Sequence, residues 1–374
     1  MTTHVFIVDE DTFKFHLEHM FAGTGAESLK TSFSGNNFYA SSPGEEKLYT
    51  SMLADCLRVR PDDFVIFYLQ SKNGKEGCFY GIFKIDSVPF IDGNNYLSAH
   101  GLKKFLPFRV RIRPHKVYPK GVTEWRALDD LSGVTNPSNM IWSLIYRKLR
   151  GNRGNTMITM YEASRILHMI KATNSATSLS SRGFSFDNNI REIVPGKVHT
   201  YPPVKNNIEI LPQLINQYNS QKSHEAHLQA YITGNIEKNA SLLSTLKIDP
   251  KRIKWIGNEV YCGVGMQKID VVVSTFDDYE ELLYIIELKD EYSHPAVFTQ
   301  MEKYIKWVSQ YYCGNTPCFV QPVLISRQPK RTRPKKTIGA LKMAIQAFNK
   351  VLPSFCHPIL TVEYTVSGNN LLFI

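Results

Sequence analysis

Two carboxylates and a lysine interrupt apolar segments late in the chain. Asp270 begins the run Val271-Val272-Val273, and Glu287 and Lys289 lie two residues apart at the end of Tyr284–Lys289. Short runs rich in Val and Ile predict buried strands, and residues two apart leave the same face of a strand. Burying charges is costly unless they pair or bind a metal. A carboxylate pair suits Mg²⁺ (or Mn²⁺), and a neighbouring lysine can orient or deprotonate an attacking water.

Two predicted helices flank these strands. The segment from Ser223 to Ile232 has helical spacing and carries Glu225, and a second helix begins near Gln300. Gln300 and Tyr304 are four residues apart, so they share one face of that helix.

Asp270 followed by Glu287-Leu288-Lys289 resembles the core of the PD-(D/E)XK nucleases. The Gln300 and Tyr304 pair is similar to the branch that contains archaeal NucS-type endonucleases and related restriction nucleases. The resemblance implies that Asp270, Glu287 and Glu225 hold the metal and that Lys289 and Gln300 assist catalysis. The alternatives are a plain Glu287–Lys289 ion pair, a strand-end role for Asp270 and a helix-dipole role for Glu225.

Composition narrows the class of protein. The chain has 374 residues and a formal net charge of +10, which favours two domains and a polyanionic partner such as double-stranded DNA. No run is long enough to cross a bilayer and no secretory signal is evident, so we expect no membrane association. The six cysteines form no CxxC pair. Their pattern argues against zinc and favours reduced thiols in the cytoplasm.

The first part of the chain contains three predicted strands, at 64–69, 78–85 and 108–113. Their order and the Gly81-containing return strand resemble the PUA-like superfamily, in particular EVE-type and YTH-type modules. The resemblance implies an aromatic pocket for a flipped, often modified, base. Such a pocket stacks the base between rings and binds its edge by hydrogen bonds. The candidate walls are Trp125, Trp142 and Tyr68, although each aromatic residue on its own fits a core position as well.

Two clusters of cations are candidates for contacts with DNA phosphates. The first is Arg147, Lys148, Arg150 and Arg153, and the second is Lys330, Arg331 and Arg333. A solvated helix end and a solubilising loop are the alternative interpretations. The strand at 108–113 also alternates arginine with apolar residues, which predicts that Arg109, Arg111 and Arg113 share one exposed face.

Together these features predict a mixed α+β or α/β protein. We expect an N-terminal PUA-like domain of β-barrel type at 1–172, a polar linker at 173–205 and a mixed-sheet PD-(D/E)XK domain at 206–374. The predicted function is a Mg²⁺-dependent endonuclease that reads a modified base in DNA. Cutting both strands requires two active sites, so a homodimer is expected. A mismatch- or structure-specific repair nuclease and a non-catalytic nucleic-acid-binding protein are the alternatives.

Overall fold

The computed structural model describes residues 2–25, 32–34, 37–39, 42–72, 74–93, 96–146, 149, 154–263, 267–277, 279–292, 294–313, 317–329 and 335–374. The chain forms two compact units, Met1–Glu209 and Ile210–Ile374. Both combine helices with sheets, so the predicted mixture of α and β structure is confirmed. Among the helices in these ranges, none has the length and apolarity required to cross a membrane.

The first unit is built on a branched mixed sheet. Its strands are β1 (Thr3–Val8), β2 (Phe21–Thr24), β3 (Ser32–Ser34), β4 (Asn37–Tyr39), β5 (Phe64–Leu69), β6 (Cys78–Ile85), β7 (Phe90–Asp92), β8 (Phe108–Pro114), β9 (Val122–Thr123), β10 (Asn155–Ile158), β11 (Phe184–Asp187), β12 (Glu192–Pro195) and β13 (Lys205–Asn206). Its helices are α1 (Glu10–Glu18), α2 (Pro43–Leu57), α3 (Tyr96–Ala99), α4 (Glu124–Asp129), α5 (Trp142–Ile145) and α6 (Met160–Thr173).

The centre of this sheet is apolar because its strands are covered on both faces. The main path runs β10-β1-β5-β6-β8-β7-β13, with β2 paired to β8 and β9 to β6. The β1 and β5 strands are parallel, with Val5 opposite Ile66, and both residues are fully buried. Parallel strands covered on both sides favour continuous apolar runs rather than alternation. The predicted strands at 64–69 and 78–85 are confirmed residue for residue.

The predicted linker at 173–205 is wrong for most of its length. The β11 and β12 strands form an antiparallel hairpin, and Phe184, Phe186 and Ile193 are buried in the core of the first unit. The Phe186 ring lies 4.8 Å from the ring of Phe13 in α1. The polar run before this hairpin resembles a linker, but the alternating Phe-Ser-Phe that follows it is a strand pattern. The compact unit therefore extends to Glu209.

The predicted exposed arginine face is also wrong at one position. Arg109 is 3% exposed, and its guanidinium pairs with the buried carboxylate of Asp92. Its Nε also donates to the carbonyl of Leu106 at 2.6 Å. Arg111 is half-buried against the Tyr201 ring, 4.4 Å from its centroid, and Arg113 is exposed. A buried arginine is tolerated because a carboxylate and a carbonyl satisfy it.

The second unit is a mixed sheet flanked by helices. Its helices are α7 (Leu211–Asn219), α8 (Glu225–Asn235), α9 (Ala240–Leu246), α10 (Ala296–Trp307) and α11 (Lys335–Val351). Its strands are β14 (Ile253–Cys262), β15 (Gln267–Asp277), β16 (Glu280–Lys289), β17 (Cys318–Arg327), β18 (Leu360–Ser367) and β19 (Asn370–Phe373), paired in that order.

The directions of the strands in this sheet determine which strand ends lie together. The β14, β15 and β16 strands are antiparallel neighbours, whereas β16, β17 and β18 run parallel. Parallel neighbours need crossover connections, and α10 and α11 supply them. Val271, Val273, Ile286 and Ile325 are fully buried in the middle of the sheet. The first residues of β15 and the last residues of β16 therefore meet at one end of a rigid core.

Candidate functional site

Asp270 and Glu287 converge at this end of the sheet. Val271 of β15 is opposite Ile286 of β16 in antiparallel register, so Asp270 faces Glu287 in the next position. The backbone N–H of Leu288 donates to Oδ2 of Asp270 at 2.8 Å. Glu287 is 1% exposed, and Asp270 is half-buried. Strand pairing alone therefore brings together the two carboxylates that the sequence singled out.

Lys289 lies between two of the predicted carboxylates. Its Nζ donates to Oε1 of Glu287 at 2.7 Å and lies 3.7 Å from Oε2 of Glu225 on α8. Burial on its own would lower the pKa of Lys289, but the charge of Glu287 and their hydrogen bond outweigh it and raise the pKa. The lysine is therefore held as an ammonium at neutral pH. It can orient a water or a phosphate oxygen, whereas a general base would need the neutral amine.

The pKa values of the two carboxyl groups, Asp270 and Glu287, are both raised above their ordinary range. Burial, followed by repulsion from Glu287 and Glu225, raises the pKa of Asp270 well above its usual value. Burial also raises the pKa of Glu287, against the attraction of Lys289. Two carboxylates this close cannot both ionise at low cost without a cation. The pair is therefore chemically prepared for a divalent metal, which would supply the missing positive charge.

One carboxylate oxygen of the pair, Oε2 of Glu287, is available to bind a metal ion. Oε2 of Glu287 is buried and has no hydrogen bond of ordinary length within the described part of the chain. The side chains of Tyr304 and Asp270 lower the pKa of Glu287 slightly, but burial outweighs them. A buried carboxylate oxygen with no donor is costly in water-free surroundings, and it is a natural ligand for Mg²⁺ or Mn²⁺. The residues present fit the predicted metal.

The predicted third ligand is not gathered into the same cluster. In the ranges given above, no three His, Cys, Asp or Glu side chains converge as a set of metal ligands. Glu225 instead faces the ammonium of Lys289. Asp270 and Glu287 thus form the pair, and Glu225 adjoins it through the lysine.

Gln300 and Tyr304 form a chain of hydrogen bonds beside Glu287. The amide of Gln300 donates to the hydroxyl of Tyr304, and that hydroxyl donates to the carbonyl of Lys268 at 2.7 Å. Gln300 therefore supports a buried tyrosine beside Glu287, whereas the resemblance implied that it assists catalysis. Gln229, which the sequence analysis missed, donates to the carbonyl of Asp270 at 2.9 Å. Its position four residues after Glu225, on the same helix face, was the available signal.

The first unit contains a cavity of about 250 Å³ beside two of the predicted aromatic residues. It is lined by Tyr68, Glu124, Trp125, Leu128, Ser143, Leu144, Ile145 and Leu149. Trp125 is 56% exposed, which is unusual for so large an apolar side chain. The hydroxyl of Tyr68 donates to Oε2 of Glu124 at 2.6 Å. A side chain at Gly77 would collide with that hydroxyl, so glycine is required beside the pair.

Trp142 does not line this cavity. Its indole Nε1 donates to the carbonyl of Pro137 at 3.1 Å, and its ring stacks on Tyr146 at 5.5 Å. The sequence missed the two polar residues of the cavity, Glu124 and Ser143. The Ser143 hydroxyl is buried there, and no described residue forms a hydrogen bond with it. The available sequence signal for Glu124 was its position next to Trp125, a predicted wall of the pocket.

The predicted phosphate-binding cations lie outside the described residues. They are Arg147, Lys148, Arg150, Arg153, Lys330, Arg331 and Arg333. Leu149, which lies within the first cluster in sequence, lines the cavity. The cations of that cluster are therefore close in sequence to the cavity wall.

Comparisons with known proteins find similarity over less than half of the chain. No protein-family model matches the chain. A stretch of 64 residues is 34% identical to a UPF0310 protein of Pyrococcus abyssi and covers 16% of this chain and 45% of that protein. The chain therefore spans less than half the length of this curated relative.

Two solved structures show distant similarity. A hypothetical protein from Leishmania major has a TM-score of 0.28 at 13% identity, over 46% of this chain and 96% of its own. Human THYN1, solved in complex with DNA containing 5-methylcytosine, has a TM-score of 0.27 at 10% identity, over 46% of this chain and 98% of its own.

Proposed function

We propose that this chain is a Mg²⁺-dependent DNA endonuclease in which the first unit reads a base and the second hydrolyses the phosphodiester. The observation that carries the proposal is the buried Asp270–Glu287 pair with the ammonium of Lys289 bonded to it. A sheet core gains no stability from two repelling carboxylates, whereas a metal-dependent nuclease needs them. The net charge of +10 agrees with a polyanionic substrate.

The residues divide the work of hydrolysis. Asp270 and Glu287 would hold the cation, which supplies Lewis acidity and lowers the pKa of a bound water when present. Lys289, kept protonated by Glu287, donates to the attacking water or to a non-bridging phosphate oxygen. Glu225 limits the reach of the lysine from the other side. Gln229, through the carbonyl of Asp270, holds the strand backbone in place.

The reader role rests on the cavity of the first unit. An exposed Trp125 offers a flat surface on which a flipped base can stack, and the Tyr68–Glu124 pair offers polar atoms to its edge. We propose that this cavity selects the DNA feature, a modified base in the first instance. Because duplex cleavage requires two hydrolytic sites, the active species is proposed to be a homodimer.

A cleavage assay tests the enzyme proposal. The wild type, Glu287→Ala and Lys289→Ala are incubated with DNA in Mg²⁺, in Mn²⁺ and in EDTA, with Lys303→Ala as the control. Lys303 is an exposed lysine on α10, so its loss removes a charge without touching the carboxylate pair. We expect metal-dependent cleavage by the wild type and the control, and none by the two site variants. Intact DNA from every protein would favour a binding protein.

The choice of substrate tests the reader proposal. The panel contains duplexes with methylated or hydroxymethylated cytosine, with methylated adenine, with mismatches and with branches, beside a plain duplex. Preferential cleavage of one modified duplex supports base reading. Preference for mismatched or branched DNA, with no effect of Trp125→Ala, would instead favour the repair nuclease.

A further inference from the structure

The N-terminus of α8 lacks a cap from its own segment. The residue at the cap position is His224, and its side chain makes no capping hydrogen bond. The first N–H groups of a helix have no partner inside the helix and are usually satisfied by a Ser, Thr, Asp or Asn at that position. Glu225 is the first residue of α8, so its carboxylate stands on the turn that lacks this support.

Asp290, which is remote in sequence, supplies the missing acceptor. The backbone N–H of His224 donates to Oδ2 of Asp290 at 2.8 Å, and the hydroxyl of Ser223 donates to the same oxygen at 2.6 Å. Asp290 directly follows Lys289 at the end of β16. One carboxylate thus ties the start of the helix that carries Glu225 to the strand that carries Glu287 and Lys289.

A second contact fixes the same junction from β18, two strands away from β16 in the sheet. Nε2 of His224, which is 1% exposed, lies 2.8 Å from the hydroxyl of Tyr364 on β18. That hydroxyl also lies 3.4 Å from the carbonyl of Lys289. The end of β16 is therefore bonded to the α8 junction on two sides, so a small shift of the junction changes the 3.7 Å separation of Glu225 and Lys289.

We propose that Asp290 is a positioning residue of the active site, which holds Glu225 at its working distance from Lys289. The inference rests on the proposed function, because that spacing matters only where Glu225, Lys289 and the carboxylate pair act on a shared metal and phosphate. Asp290 itself contacts neither: it acts through the first turn of α8. Its loss therefore changes the site by displacing Glu225.

The test measures Mn²⁺ binding by the full chain. Asp290→Ala is expected to weaken Mn²⁺ binding on the order of tenfold, as loss of a residue that orients a metal-site side chain typically does, because a displaced Glu225 no longer places its negative charge near Asp270. Amide hydrogen exchange in the first turn of α8 should accelerate in the same variant. Asp290→Asn keeps an acceptor oxygen and should recover most of the affinity. Asp277→Ala, which removes an exposed acid at the far end of the β15–β16 pair, is the matched control.

A double-variant cycle separates positioning from a general loss of stability. If Asp290 acts through Glu225, adding Asp290→Ala to Glu225→Gln causes little further loss of Mn²⁺ affinity, whereas independent effects would multiply. Multiplying effects, or unchanged Mn²⁺ binding in Asp290→Ala, would overturn the inference alone. Absence of Mn²⁺ binding by the wild type would overturn the proposed function and the inference with it.

Discussion

Replacing Asp270 by asparagine should stabilise the metal-free protein. In the folded chain, burial and the charges of Glu287 and Glu225 disfavour the carboxylate, and the Leu288 N–H and Lys289 only partly compensate. Asparagine has nearly the same shape and can still accept the N–H of Leu288, which lies 2.8 Å from Asp270 Oδ2. The substitution therefore removes the repulsion and keeps the hydrogen bond.

The size of the gain follows from the kind of charge that is removed. A single stabilising substitution, charge optimisation included, commonly contributes about 0.5–2 kcal/mol. For a domain the size of the second unit, residues 210–374, each kcal/mol corresponds to roughly 2–4 °C in melting temperature. We therefore expect a rise of roughly 1–8 °C in metal-free buffer at pH 8.

The stability difference between Asp270→Asn and the wild type should depend on pH. The unfolded Asp270 ionises near pH 4, approximately the ordinary aspartate pKa, whereas the folded carboxyl keeps its proton to higher pH. The folded state thus binds more protons in that window, so wild-type stability falls as pH rises through it. The asparagine variant lacks this loss, and its advantage should be small near pH 4 and largest above the folded pKa.

Differential scanning calorimetry across this pH range, with and without Mg²⁺, measures both effects. Mg²⁺ should raise the melting temperature of the wild type, because it binds only the folded state, and should leave the Asp270→Asn protein unchanged. Asp277→Asn, at an exposed ion pair, controls for the loss of one negative charge. A lower melting temperature of Asp270→Asn than of the wild type, at pH 8 without metal, would refute the repulsion argument.

Three further variants test separate parts of the molecule. Lys289→Met should reduce cleavage by on the order of 10²-fold or more, because one preorganised cationic donor is lost, while Mn²⁺ titration still detects binding. Trp125→Ala should weaken binding of the preferred duplex by roughly 1–3 kcal/mol through lost base stacking, measured by fluorescence anisotropy, with Leu131→Ala, also exposed, as control. Phe186→Ala should destabilise the first unit by about 3–5 kcal/mol in urea unfolding, whereas a residue of a true linker would cost almost nothing.

Features that depend on local pattern could be predicted from the sequence. The β5 and β6 strands and the strand pair that carries Asp270 and Glu287 follow from apolar runs bounded by turn residues. The position of Lys289 beside Glu287 follows from the two-residue period of a strand. These predictions succeed because the backbone geometry of a strand leaves few alternatives.

Features that depend on a partner distant in the chain could not be predicted. Arg109 follows the pattern of an exposed strand face, but Asp92 satisfies it in the core. Asp290 resembles any acid at a strand end until α8 is placed against it. In each case one tertiary hydrogen bond decided the role, and no periodicity reports it.

The protonation state of Lys289 limits which groups can accept the proton of the attacking water. An amine that is to remove a proton from water must be neutral near pH 7, and burial away from carboxylates is the usual way to achieve that. Here Glu287 and Glu225 raise the pKa of the lysine instead. The proton of the attacking water must therefore leave to another acceptor, such as bulk water or a phosphate oxygen. Lys289→Arg, which stays cationic and cannot act as a base near neutral pH, should then retain part of the cleavage activity that Lys289→Met loses, whereas equal loss in both variants would indicate that the lysine is the base.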